Sequence, residues 1–203
     1  MSDGGTFSTD ADVVVASWDE PRAFAVLFDR YARVVRRFVA GRAASDDVDD
    51  LVSETFVAAF RSRGNYDRRY EDARPWLLGI AANILRHHYR SEARRRRPWP
   101  RGPQTELSVD PAEGVADGLD AKAGWDHVAV ALWLLDDRYR EALLLMAAAD
   151  LSYKEMARAL DVPVGTVKSR VARGRRQLRE LLDNDGKQKV KNTTLSPIEG
   201  GSQ

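Results

Sequence analysis

Apolar residues recur at intervals of three and four along most of the chain, and no stretch alternates as a half-buried strand would. From about Glu20 to Arg42 the stripe is Phe24, Leu27, Phe28, Tyr31, Val34, Val35 and Phe38, with Pro21 near the first helical position. A second helix is predicted from the acidic run Asp46-Asp47-Val48-Asp49-Asp50, where carboxylates suit the positive end of the helix dipole. Its buried side would be Val48, Leu51, Val52, Thr55, Phe56 and Phe60. After a loop from Gly64 to about Arg74, a third helix is expected from Pro75 to Arg96, with Trp76, Leu77, Ile80, Ala81, Ile84, Leu85 and His88 on one side. Three such stripes can bury one another as a small bundle.

The pattern breaks at residues 98–124. Pro98, Pro100 and Pro103 forbid a continuing helix, and small and acidic residues follow, as in a flexible linker. Beyond it a second small helical domain is predicted over residues 125–183, with helices near 125–135 and 137–149 and then a helix, a tight turn and a long helix. The predicted fold class is therefore all-α, two small helical domains (20–97 and 125–183) joined by a linker. Residues 1–19 and 184–203 are expected to be a flexible N-terminus and a disordered tail.

The segment 151–182, LSYKEMARALDVPVGTVKSRVARGRRQLRELL, is the most specific local feature. Ser152 and Glu155 form a capping box, so a helix starts there. Met156, Ala157 and Leu160 make its buried face, Pro163 opens the next helix, and Val167, Val171, Leu178 and Leu181 give that helix its stripe. This is the spacing of a DNA-binding helix-turn-helix. Lys168, Ser169 and Arg173 share the exposed side near the start of the second helix, where such helices meet base edges, and Thr166 and Arg170 flank them. Arg170, Arg175, Arg176 and Arg179 are placed for phosphates. A solvated helical hairpin is the alternative reading of the same pattern.

Charge sharpens this picture. Among 203 residues, 32 Lys+Arg balance 31 Asp+Glu to a net +1, yet residues 1–60 carry −5, residues 61–101 carry +8 and residues 151–183 carry +4. Two basic blocks set between acidic ones fit a polyanion binder with two contact surfaces. The absence of cysteine excludes a disulfide scaffold, a thiolate metal site and a Cys nucleophile, and three histidines leave little for a metal centre. No catalytic residue, metal or cofactor is expected. The carboxylates of Asp46, Asp47, Asp49 and Asp50 would point in different directions, which argues against a metal-dependent phosphoesterase. No apolar run reaches membrane-span length and the first residues lack signal-peptide order, so a cytoplasmic protein without membrane insertion is expected.

Three segments in order, DDVDDLVSETFVAAF, ARPWLLGIAANILRHHYR and LSYKEMARALDVPVGTVKSRVARGRRQL, resemble bacterial RNA polymerase sigma factors of the sigma-70 family, in particular the small extracytoplasmic-function group. The resemblance covers roughly residues 22–97 as region 2 and 126–183 as region 4. It implies a promoter-recognition and DNA-melting subunit that directs polymerase core to specific promoters. It implies that the acidic helix, through Asp49, Asp50, Leu51, Glu54 and Phe56, binds the β′ clamp helices, although Ser53 stands where the family usually has Gln. It further implies that the loop from Asn65 to Asp72 captures an unstacked base of the −10 element. Tyr66, Tyr70, Asn83, Arg86 and Arg90 would contact that element, with Arg94 to Arg97 continuing the phosphate track. Region 4 would dock on the β flap and read the −35 element through Thr166, Lys168, Ser169, Arg170 and Arg173. The acidic linker would thread toward the RNA exit path, and an anti-sigma factor is a further candidate partner. On the residues alone, Tyr66 and Tyr70 serve equally well to close the bundle, and Trp76 reads as core. The alternative function is a stand-alone helix-turn-helix regulator that needs no polymerase.

Overall fold

The computed structural model describes residues 8–95 and 128–193, and among these there is no strand. The first helix, α1 (Asp10–Asp19), lies where a flexible N-terminus is expected from the sequence. Thr9 and Asp12 cap it reciprocally: the Thr9 N–H donates to Asp12 Oδ2 at 2.9 Å and the Asp12 N–H to Thr9 Oγ1 at 3.2 Å. Val13, Val14 and Ser17 are fully buried, so the helix is held by packing as well as by its cap.

The expected helix 20–42 divides. Pro21–Phe24 form a 3₁₀ turn, and α2 (Ala25–Ala40) follows. Leu27, Val35, Phe38 and Val39 of α2 are buried, while Phe28 remains about half exposed with its ring edge on Phe56. A second 3₁₀ turn, Ser45–Asp47, leads into α3 (Val48–Ser62), which buries Val48, Leu51, Val52, Thr55, Phe56 and Ala59. The 3₁₀ turn Arg63–Asn65 opens the loop to α4 (Arg74–Arg95). Leu77, Leu78, Ala81, Ala82 and Leu85 of α4 are all fully buried, more than one bundle-facing stripe requires. The surplus residues face the second half of the chain.

That half consists of α5 (128–134), α6 (Asp137–Ala149), α7 (Tyr153–Leu160) and α8 (Val164–Thr193). Both α6 and α7 end on an aspartate in the left-handed region, Asp150 at φ 50° and Asp161 at φ 51°. Asp visits that region more readily than most non-glycine residues. The α8 backbone stays helical to Thr193, beyond the expected end at 183, because no proline interrupts it before Pro197. The linker 98–124, Arg96, Arg97 and the tail after Thr193 lie outside the described residues.

The two halves pack directly on each other, α4 against α7 and α2 against α6, and their buried side chains form one continuous core. Two glycines permit the approach. A Cβ on Gly79 would sit 2.6 Å from the Ala159 carbonyl oxygen, and one on Gly41 would sit 2.8 Å from Leu144 Cδ2. Between them the fully buried Arg42 guanidinium meets Glu141 Oε1 at 2.8 Å and both Asp137 oxygens at 2.7 and 2.8 Å.

Candidate nucleic-acid interface

The helix-turn-helix is assembled as its sequence dictates. The Ser152 N–H donates to Glu155 Oε2 at 2.7 Å and the Glu155 N–H to Ser152 Oγ at 3.4 Å, which fixes the start of α7. Its end is fixed at Asp161, where the Val162 N–H reaches back to the Ala157 carbonyl at 3.1 Å. Burial tends to raise the Glu155 carboxyl, but the bonds from Ser152 and the charges of Arg74 and Arg158 hold it below its ordinary range. In α8, Val167 and Val171 are buried, whereas Lys168, Ser169 and Arg173 are exposed on the other side. Arg170 and Thr166 are half-buried, and Ser169 Oγ donates to the Thr166 carbonyl at 2.9 Å. Gly174 lies inside α8, where it costs about 1 kcal/mol against alanine. A Cβ there would come within 3.2 Å of Leu143 and Tyr139, so glycine admits the close crossing of α6.

A second displayed surface is the loop between α3 and α4. Tyr66 forms its base: it is buried, its ring centre lies 5.0 Å from that of Trp76 in an edge-to-face contact, and its hydroxyl donates to the Tyr70 carbonyl at 2.7 Å. Tyr66 thus stands as a pillar under the loop rather than as a displayed ring. Burial, and after it the charges of Asp10 and Asp72, push its phenol well up. Above it, Asn65, Arg68, Arg69 and Tyr70 are exposed. The Arg69 guanidinium grips both Asp67 oxygens, holding that carboxyl down at about 2. The Arg158 guanidinium of α7 lies 3.8 Å over the Tyr70 ring. Farther along α4, Asn83 is exposed and its Oδ1 accepts from Arg86 Nη2 at 2.6 Å, while Arg90 is exposed one turn on.

The acidic helix divides its predicted set. Asp49, Asp50 and Glu54 are exposed, and Asp49 pairs with Arg36. Leu51 and Phe56 are buried in the bundle, on the side that the apolar stripe predicts. They lie on the α3 face that meets α2 and α4.

Sequence reasoning missed Asp10. Its signal was the Thr9-x-x-Asp12 cap directly before Val13 and Val14. Asp10 is 3 % exposed; it accepts from Arg30 Nη1 at 2.6 Å, from the Tyr31 hydroxyl at 2.5 Å and from the Ala73 N–H at 2.8 Å.

Two family models match the chain. The family described as Sigma-70 region 2 matches residues 27–95, and Sigma-70, region 4 matches residues 129–178. The RNA polymerase sigma factor CnrH of Cupriavidus metallidurans is 33% identical over 190 residues, covering 87% of this chain and 96% of its own. The ECF RNA polymerase sigma factor SigC of Mycobacterium tuberculosis is 36% identical over 143 residues, 70% of this chain and 73% of its own. The structure of CnrH in complex with the cytosolic domain of CnrY superposes with a TM-score of 0.65 at 29% identity, over 87% of this chain and 98% of that one.

Proposed function

This chain belongs to the extracytoplasmic-function group of the sigma-70 family of RNA polymerase sigma factors, and from that premise we propose how its surfaces divide the work. The observation that carries the reading is the two-sided start of α8. Val167 and Val171 lock it onto α7, so Lys168, Ser169 and Arg173 are presented together in a fixed orientation. Lys168 and Arg173 read base edges of the −35 duplex, Ser169, Thr166 and Arg170 support that contact, and Arg175, Arg176 and Arg179 meet phosphates.

The loop from Asn65 to Asp72 takes a base of the −10 element once strands part. Tyr70 offers a ring, Asn65 and Arg68 offer hydrogen bonds, and Asn83, Arg86 and Arg90 follow the strand along α4. Unstacking costs a few kcal/mol per step, offset by the captured base and by contacts to polymerase. Asp49, Asp50 and Glu54 face the β′ clamp helices, and region 4 meets the β flap. The work is binding rather than covalent chemistry, performed in the cytoplasm on promoter DNA, with an anti-sigma factor as competitor for these faces. The functional units are residues 20–97, extended by α1, and residues 125–183.

The test is transcription by polymerase core with and without the full chain on a library of genomic fragments. Initiation from start sites that share two upstream elements is expected. Failure to initiate on any fragment would overturn the reading.

A further inference from the structure

Helix α1 precedes residue 27, where the region 2 match begins, yet it touches the loop proposed to take the −10 base and its junction with α4 at three points, with a fourth made through Tyr31 of α2. The Asp10 N–H donates to the Glu71 carbonyl at 3.0 Å. The Asp10 carboxylate accepts from the Ala73 N–H, the last link before α4. The Tyr31 hydroxyl, 2.5 Å from Asp10, also lies 3.3 Å from Asp72 Oδ1, and Asp72 in turn accepts from the Arg74 N–H at 2.7 Å. At the far side, the Arg68 guanidinium stands 5.6 Å over the Trp18 ring of α1.

The loop is thus pinned at both ends. Tyr66 anchors its start on Trp76, and Asp10 gathers its end. The middle, with Arg68, Arg69 and Tyr70, faces outward. A carboxylate this deeply buried would be very costly without partners. Arg30, Tyr31 and the Ala73 N–H supply them in one geometry, and that geometry sets the loop's path. Burial foremost, and then Asp10, push the Tyr31 phenol far up, so its hydroxyl remains a donor at every physiological pH.

We propose that Asp10 is a positioning residue for base capture: with Tyr31 as its bridge, it fixes the conformation in which the 65–73 loop presents Arg68 and Tyr70 to the unstacked base, making α1 part of the specificity apparatus. This rests on the −10 reading of that loop.

The test uses holoenzyme reconstituted from polymerase core and the full chain, offered a pool of short single-stranded DNA of random sequence. Base enrichment is read position by position in the bound fraction, with the melting temperature of each variant alongside. Asp10→Asn removes the charge and one acceptor, and Tyr31→Phe removes only the bridging hydroxyl. Both are expected to flatten enrichment at the captured position by about tenfold, the equivalent of one charge-assisted hydrogen bond. A merely structural role would lower the melting temperature and leave the base preference unchanged. If Asp10→Asn does not fold, Tyr31→Phe decides, since it fills the same space. Wild-type enrichment in both variants, while Arg68→Ala and Tyr70→Ala lose it, would overturn the role of Asp10 alone. Wild-type enrichment in all four would overturn the −10 reading of the loop as well.

Discussion

Arg42 and Glu141, 99 positions apart, form an ion pair at 2.8 Å in which the arginine is fully buried and the glutamate 3 % exposed. It joins the α2 side of the molecule to α6. The junction is imperfect, because Arg42 Nε, Arg140 Nε and the Tyr89 hydroxyl are buried there without a hydrogen-bond partner among the described residues. Burial pushes the Tyr89 phenol up to about 12, against the lowering charges of Arg140 and Arg42. A contact that desolvates charge without satisfying every donor specifies geometry better than it stabilises.

Removing one partner is therefore expected to be costly. Arg42→Ala leaves Glu141 buried and unpaired, and a loss of about 3–5 kcal/mol is expected in denaturant unfolding. The double change R42M/E141L should recover most of it, since an apolar pair of similar volume replaces the desolvated charges. A double variant as unstable as the single one would show that the pair contributes more than its geometry.

The same junction should loosen in acid. Burial tends to raise the Asp137 carboxyl, but the charges and hydrogen bonds of Arg42 and Arg140 outweigh it and hold the group below its ordinary value. A depressed carboxyl contributes stability that is fully present above its unfolded pKa, about 3.9, and is lost as pH falls through its folded value. Stability should not change through Asp137 between neutrality and about pH 5, and should fall below about pH 4. Asp137→Asn should flatten that acid limb in a pH series of urea midpoints.

Gly79 and Gly174 make contrasting tests of close packing. A methyl group at Gly79 meets backbone, the Ala159 carbonyl oxygen at 2.6 Å, so Gly79→Ala should cost about 1–3 kcal/mol and part α4 from α7. At Gly174 the neighbours are side-chain atoms at 3.2 Å, and the helix-propensity gain of about 1 kcal/mol opposes the crowding. Gly174→Ala should change the thermal midpoint far less than Gly79→Ala does.

Recognition of the −35 element should depend on Lys168 and Arg173. Alanine at either is expected to weaken binding to the preferred duplex by about 1–3 kcal/mol and to relax preference at one position. Arg176→Ala should instead weaken all sequences alike and reduce the salt dependence of binding. Footprints that keep wild-type preference in both Lys168→Ala and Arg173→Ala would remove them from the reading set.

The sequence by itself determined most of the helices, the capping box at Ser152, the tight turn before Pro163 and the charged face of α8. Each depends on residues within one or two turns of one another, where periodicity and capping act directly. Tertiary structure decided what depends on distant partners. Tyr66 went under its loop because Trp76 lies there. Asp10 and Arg42 are buried because Tyr31, Ala73, Asp137 and Glu141 arrive around them. A charge is buried only when a complementary group comes from elsewhere in the fold to offset its lost hydration, and no local pattern records that meeting.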